Sequence, residues 1–147
     1  MPLLIPTRLA SSPIHGLGLF AEEPVAAGTP VWRFDARIDR LFAPDDALLD
    51  EFPQLSRLVD FHGCVIDGVG VLLPGDDARF LNHDDEPSIG RAAPGDWRVF
   101  VPRRAIAAGE EITCNYEDIC ADVREAGAAS YLSASDLPAS DLPGASA

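Results

Sequence analysis

Glycine and proline punctuate this chain throughout, and that limits its fold more than any other feature. The 147 residues hold 12 Gly and 13 Pro. Proline removes a backbone donor and glycine weakens a helix interior, so helices here must be short. The expected outcome is many short elements joined by tight turns, not a helical bundle. With 47% hydrophobic residues, the chain is long enough and apolar enough for one domain with a real core.

Two segments echo one another. VAAGTPVWRF starts at Val25 and IAAGEEITCNY at Ile106. Each runs apolar, Ala, Ala, Gly, two turn-compatible residues and then a strand start, which makes Gly28 and Gly109 the sites for a φ that other residues resist. After the second turn, Ile112, Cys114 and Tyr116 alternate with Thr113 and Asn115, as on the two faces of a strand. Residues 97–101 read as a strand, and residues 64–73 as two short strands about Asp67-Gly68. A helix start stands at Pro44-Asp45-Asp46, with Leu48, Leu49 and Phe52 on one face until Pro53. A second short helix carries Leu55, Leu58 and Val59, and a third face holds Ile119 and Val123. The repeated Ser-Asp-Leu-Pro unit makes residues 133–147 a disordered tail, leaving 1–132 as the folded domain.

Eleven Lys and Arg against 24 Asp and Glu give a formal charge of −13. Such a field repels phosphates, so direct nucleic-acid binding is disfavoured and a basic protein or peptide is the natural partner. The same charge also serves solubility. Cys64, Cys114 and Cys120 form no C-x-x-C pair, which implies reduced thiols and a cytoplasmic address. The N-terminal stretch lacks a signal-peptide layout, and no apolar run reaches ~18 residues, so no membrane span is expected.

Three stretches carry candidate chemistry. In IHGLGLFA, residues 14–21, Gly16 and Gly18 let a ligand lie against the backbone or simply form a turn before a strand. No Gly-Lys-Ser/Thr follows, which argues against a phosphate loop. In RFLNHDDEPS, residues 79–88, Asn82-His83 reads either as a capped turn or as part of a metal site. That site would combine His15, His62 and His83 with Asp76, Asp77 or Asp84 in a β-barrel, although no H-x-H or H-x-x-x-H pair supplies two ligands from one element. In GEEITCNYED, residues 109–118, Tyr116 either orients a polar group in a pocket or sits with its hydroxyl at the surface.

Together and in this order, these stretches resemble the SET domain family of protein lysine methyltransferases. The opening G-x-G and G-x-F-A pattern matches Gly16-Leu17-Gly18-Leu19-Phe20-Ala21. The middle motif R-F-x-N-H-S-C-x-P-N matches Arg79-Phe80-Leu81-Asn82-His83 and Pro87, with Asp84-Asp85-Glu86 and Ser88 as departures. The last motif G-E-E-L-T-Y-D-Y matches Gly109-Glu110-Glu111-Ile112-Thr113 and Tyr116, with Cys114 replacing an aromatic. The resemblance covers roughly residues 5–118.

The resemblance implies a mainly β chain: a β-clip fold of small twisted sheets, short helical insertions and a knot-like substructure in which the middle motif threads under a loop of the last. It implies S-adenosylmethionine as cofactor, held by Gly16, Leu17, Gly18, Arg79, Phe80, Asn82 and His83, and Tyr116 as the catalytic tyrosine. No metal is implied at the site. The reaction implied is methyl transfer to the ε-amine of a lysine on a histone-like or other basic protein. Two alternatives stand beside it: a binding module of the same fold that transfers nothing, and the metal-dependent β-barrel enzyme. Only Cys120 stands where many members carry a zinc-binding cysteine cluster, so this reads as a minimal, stand-alone form. Closure of the lysine channel is then left to residues 119–131 or to a second subunit in a homodimer.

Overall fold

The computed structural model describes residues 2–43, 45–66 and 68–119. The tail expected over 133–147 lies outside these residues, as do Cys120, Val123 and Tyr131. Ten short strands, three helices and one 3₁₀ turn make a mainly β architecture among the described residues.

Three small sheets divide the strands. The first holds β1 (Thr7–Ser11), β2 (Leu17–Ala21), β7 (Asn82–His83) and β10 (Glu111–Cys114), in the order β1-β2-β10-β7. The second is β3 (Trp32–Arg33), β9 (Val99–Pro102) and β8 (Ile89–Arg91), in that order. The third is β4 (Arg40–Phe42), β6 (Gly70–Leu73) and β5 (Cys64–Ile66). All pairings are antiparallel except β10 with β7, where Thr113 pairs with Asn82 and Cys114 with His83. That single parallel contact brings the middle and last sequence motifs side by side.

The two echoing turns pair with each other. Val25 N–H donates to the Ile106 carbonyl and Ile106 N–H to the Val25 carbonyl, both at 2.9 Å. Gly28 N–H then donates to Pro102, and Gly109 N–H to Ala21, each acceptor lying four residues before the opposite turn begins. Gly28 has φ 78° and Gly109 φ 81°, the left-handed region that makes glycine the residue of choice.

Helix is confined to an insertion and to the end of the described chain. Asp46 caps α1 (Ala47–Glu51) by accepting from Leu48 N–H at 3.0 Å. Pro53 ends that helix and occupies the first turn of α2 (Pro53–His62), where its missing N–H has no helical acceptor to lose. The main core gathers Leu19, Val31, Trp32, Ile89, Ile106 and Ile112, all nearly inaccessible to water. Phe34 packs edge-on against Trp97 with ring centroids 4.9 Å apart, so both belong to the core.

Two expectations are corrected here. Tyr116 does not continue the strand: β10 ends at Cys114, and Tyr116 opens α3 (Tyr116–Ile119). Asn115 causes the change, because its Oδ1 accepts from Glu117 N–H at 2.8 Å and its carbonyl from Asp118 N–H at 3.2 Å. Leu81 follows a 3₁₀ turn (Asp77–Phe80). Of the thiols, Cys114 is free and buried, and burial pushes it up to about 12. Cys64 is disulfide-bonded, contrary to the reduced state expected for it.

Candidate active site

Tyr116 sits where the first sheet meets the start of α3, and three contacts define its surroundings. Its hydroxyl donates to the Leu81 carbonyl at 2.7 Å, a short bond directed at the residue just before Asn82-His83. Its backbone N–H donates to His83 Nδ1 at 3.0 Å. An atom that accepts from an amide carries no proton, so the His83 hydrogen is on Nε2, where it donates to Asp85 Oδ1 at 2.9 Å. Burial is the main cause that raises the Tyr116 phenol above its ordinary range, and the neighbouring Cys114 adds to it. The phenol therefore keeps its proton at neutral pH and remains a donor.

A pocket of roughly 130 Å³ opens beside this tyrosine. Its walls are mostly apolar and include Trp32, Leu72, Ile89 and Phe100, with Leu81 and Cys114 next to Tyr116. Phe61, 76% exposed, also lines it, together with His62 and Arg79. Among the described residues no aspartate or glutamate contributes to its lining. Its aromatic lining is thus Trp32, Phe61, Phe100 and Tyr116, while Phe80 packs edge-on against His62 at 5.1 Å between centroids.

Asn82, the residue after Leu81, does not line that pocket and centres a polar cluster. Its Nδ2 lies 3.1 Å from the His15 and Leu17 carbonyls and 2.9 Å from Glu111 Oε1. Ser12 Oγ donates to the same Glu111 carboxylate and accepts from Ile14 N–H. Residues 12–17 are thereby fastened to β7 and β10. Gly16 adopts φ 48°. A methyl group at Gly18 would lie 2.2 Å from Glu111 Oε1, so the absent side chain at Gly18 makes room for Glu111. Glu111 was not singled out from the sequence, although its antiparallel register with Phe20 sets it beside the glycine loop.

The altered middle motif closes on itself. Ser88, fully buried, donates its N–H to Thr113 Oγ1 at 3.1 Å and accepts Thr113 N–H on its hydroxyl at 2.9 Å. Pro87 is buried beside it. A serine can thus take the place of an asparagine there without leaving Thr113 N–H unpartnered.

These contacts fit S-adenosylmethionine on one side and an amine on the other. Among the described residues the Asn82 Oδ1 has no hydrogen-bond partner, and the Glu111 carboxylate lies against the same amide, which suits a ligand carrying positive charge. Asn82 there reaches the His15 and Leu17 carbonyls on either side of Gly16, Gly18 lies against Glu111, and His83 follows Asn82 on β7. Arg79 instead lines the pocket, and Phe80 packs against His62. The metal alternative is not supported: among the described residues no group of three His, Cys, Asp or Glu is placed to hold an ion. His62 bonds the Arg79 carbonyl, whereas His83 bonds Tyr116 and Asp85.

The SET domain model matches residues 16–117. No curated protein matches the chain. Among solved structures, a humanized mutant of the Chaetomium thermophilum Polycomb Repressive Complex 2 bound to the inhibitor GSK126 is similar at TM-score 0.58 and 24% identity. The match covers 80% of this chain and 16% of that one. A second, ctPRC2 in an autoinhibited conformation bound to S-adenosylmethionine, gives TM-score 0.57 and 24% identity over 81% of this chain and 16% of that one. At that identity the two establish the fold.

Proposed function

The chain belongs to the SET domain family, and from that premise we propose that it transfers a methyl group from S-adenosylmethionine to the ε-amine of a lysine on a basic protein. One observation carries the reading. Parallel pairing of β7 with β10 holds the Tyr116 hydroxyl on the Leu81 carbonyl, between a polar cluster suited to a cationic cofactor and an apolar pocket suited to an alkylamine.

Bound S-adenosylmethionine supplies the methyl group and its leaving group. Asn82 Oδ1 and the backbone of residues 15–17 hold it, and Glu111 fixes that backbone. On the acceptor side, the apolar walls strip water from an incoming chain and disfavour the charged ammonium, whose free pKa is ~10.4. Tyr116 Oη has given its hydrogen to Leu81, so it turns lone pairs toward the pocket and accepts an amine N–H. That fixes the direction of the nitrogen lone pair, and alignment of this kind lowers the barrier by several powers of ten. Asp84, Asp85 and Glu86 follow His83 directly and add the negative charge that draws a basic peptide. All 11 basic residues of these 147 are arginine, so no lysine within them can be the methylated one.

Calorimetric titration with S-adenosylhomocysteine tests the cofactor half of the proposal. Binding by the intact chain that is lost in Asn82→Ala supports it; equal binding by both contradicts it.

A further inference from the structure

His62 is not part of the motifs that carry the family resemblance, yet it lines the same pocket as Tyr116. It is the last residue of α2, and the turn at Gly63 holds it there: Gly63 N–H donates to the Val59 carbonyl at 2.7 Å, and a methyl group at Gly63 would lie 2.4 Å from that oxygen. The ring is fixed on two sides. Phe80 meets it edge-on, and its Nδ1 lies 3.0 Å from the Arg79 carbonyl. A carbonyl oxygen only accepts, so Nδ1 carries the hydrogen and the neutral ring leaves Nε2 as a bare acceptor.

The neighbours favour proton removal from a cation in this pocket. Among the described residues the titratable or charged side chains on its wall, besides His62, are Arg79, Tyr116 and Cys114, together with the bonded Cys64. Tyr116 and Cys114 are both held in their protonated forms by burial. Among the described residues the buried Arg79 Nε has no hydrogen-bond acceptor, and its guanidinium lies 5.2 Å from the Phe80 ring centroid. Trp32 Nε1, also on this wall, is equally without an acceptor. Among the described residues the pocket thus presents a cation and donors but no carboxylate, a poor place for an ammonium.

We propose that His62 Nε2 is the proton acceptor that converts the bound lysine ammonium into the amine, an inference that rests on the methyltransferase reading above. The N–H electron pair stays on nitrogen as its proton passes to Nε2, giving a neutral amine and an imidazolium. The nitrogen lone pair then forms the C–N bond to the methyl carbon while the C–S bond breaks, its electron pair going to sulfur. The imidazolium, repelled by Arg79, returns its proton to solvent. The same repulsion acts on the methylammonium product and favours its departure or a further deprotonation.

Two readouts test this. In ¹⁵N spectra of the ring nitrogens, the chain without ligand shows His62 as the Nδ1–H tautomer, and n-butylammonium added with S-adenosylhomocysteine moves Nε2 to the protonated position. Separately, methyl transfer to a lysine peptide is followed against pH in the intact chain and in His62→Asn, with His62→Gln as a second variant should the first fold poorly. The expected loss is roughly 100-fold near pH 7. It shrinks as pH rises toward the lysine's own pKa, and added imidazole restores part of the rate. An Nε2–H tautomer, or variants whose pH profile matches the intact chain, would overturn the role of His62 alone. An intact chain that transfers no methyl would overturn the parent reading, and this inference with it.

Discussion

The Tyr116 hydroxyl donates to the Leu81 carbonyl at 2.7 Å although the two residues lie 35 positions apart. The bond exists because β7 and β10 run parallel, which sets residues 82–83 beside 113–114 and leaves Tyr116 to turn back across Leu81 at the start of α3. Two environments of opposite character lie near it. The Asn82–Glu111 side offers acceptors and negative charge; the pocket side offers apolar walls and Arg79.

Gly18→Ala tests whether Glu111 holds the cofactor loop. The added methyl would displace the carboxylate from Ser12 and Asn82. Glu111→Gln keeps the size and removes the charge. Both variants should bind S-adenosylhomocysteine roughly ten-fold more weakly in calorimetry, the equivalent of one lost charge-assisted hydrogen bond. Unchanged affinity in both would remove Glu111 from the site.

Ser88→Ala should be costly for so small a change. It strips Thr113 N–H of its acceptor in a fully buried place. The expected loss is about 2–3 kcal/mol in a denaturant titration, from one orphaned amide and a missing hydroxyl contact. A loss under about 0.5 kcal/mol would mean that the Ser88–Thr113 exchange does not matter to stability.

Asp39 predicts a pH effect of definite sign. Its carboxyl is fully buried, and that burial is the chief cause lifting it to about 6; the charges of Asp76 and Asp35 add to the rise. The N–H groups of Asp35 and Gly75, at 2.9 and 3.0 Å, oppose it. The folded chain therefore holds the proton more tightly than the unfolded one, whose aspartate titrates near ~3.9. The contribution of Asp39 is full below that pH and is lost as pH rises through about 6. Relative to Asp39→Asn, the intact chain should lose about 2–3 kcal/mol between about pH 4 and pH 7 in urea titrations. A difference that stays constant with pH, or grows in the opposite direction, would contradict this.

How much of this could be read in advance depends on what each residue answers to. The glycines at 28 and 109 were legible, because a repeated apolar-Ala-Ala-Gly pattern and a positive φ are both local. Their mutual pairing was not: likeness of two turns says nothing of their contact, and Val25–Ile106 is a long-range choice. The alternation of Ile112 and Cys114 points to a strand that runs on through Tyr116, although Asn shortly before two acids is a helix-start signal. The pattern at Gly18 suggests clearance for a ligand, but its space belongs to Glu111. The sequence offers His62 only as a metal ligand, since its partner is a backbone carbonyl, which no side-chain motif reveals.

The central claim is methyl transfer positioned by Tyr116, and the most direct measurement supplies methyl-labelled S-adenosylmethionine and a set of basic, lysine-bearing peptides to the intact chain and to Tyr116→Phe. The account predicts label on peptide lysines and none on lysines of the chain itself, which has only arginine among its basic residues. It predicts roughly 100-fold less transfer by Tyr116→Phe, with S-adenosylhomocysteine binding retained. Label transferred equally well by the variant, or no labelled lysine from an intact chain that binds the cofactor, would contradict it.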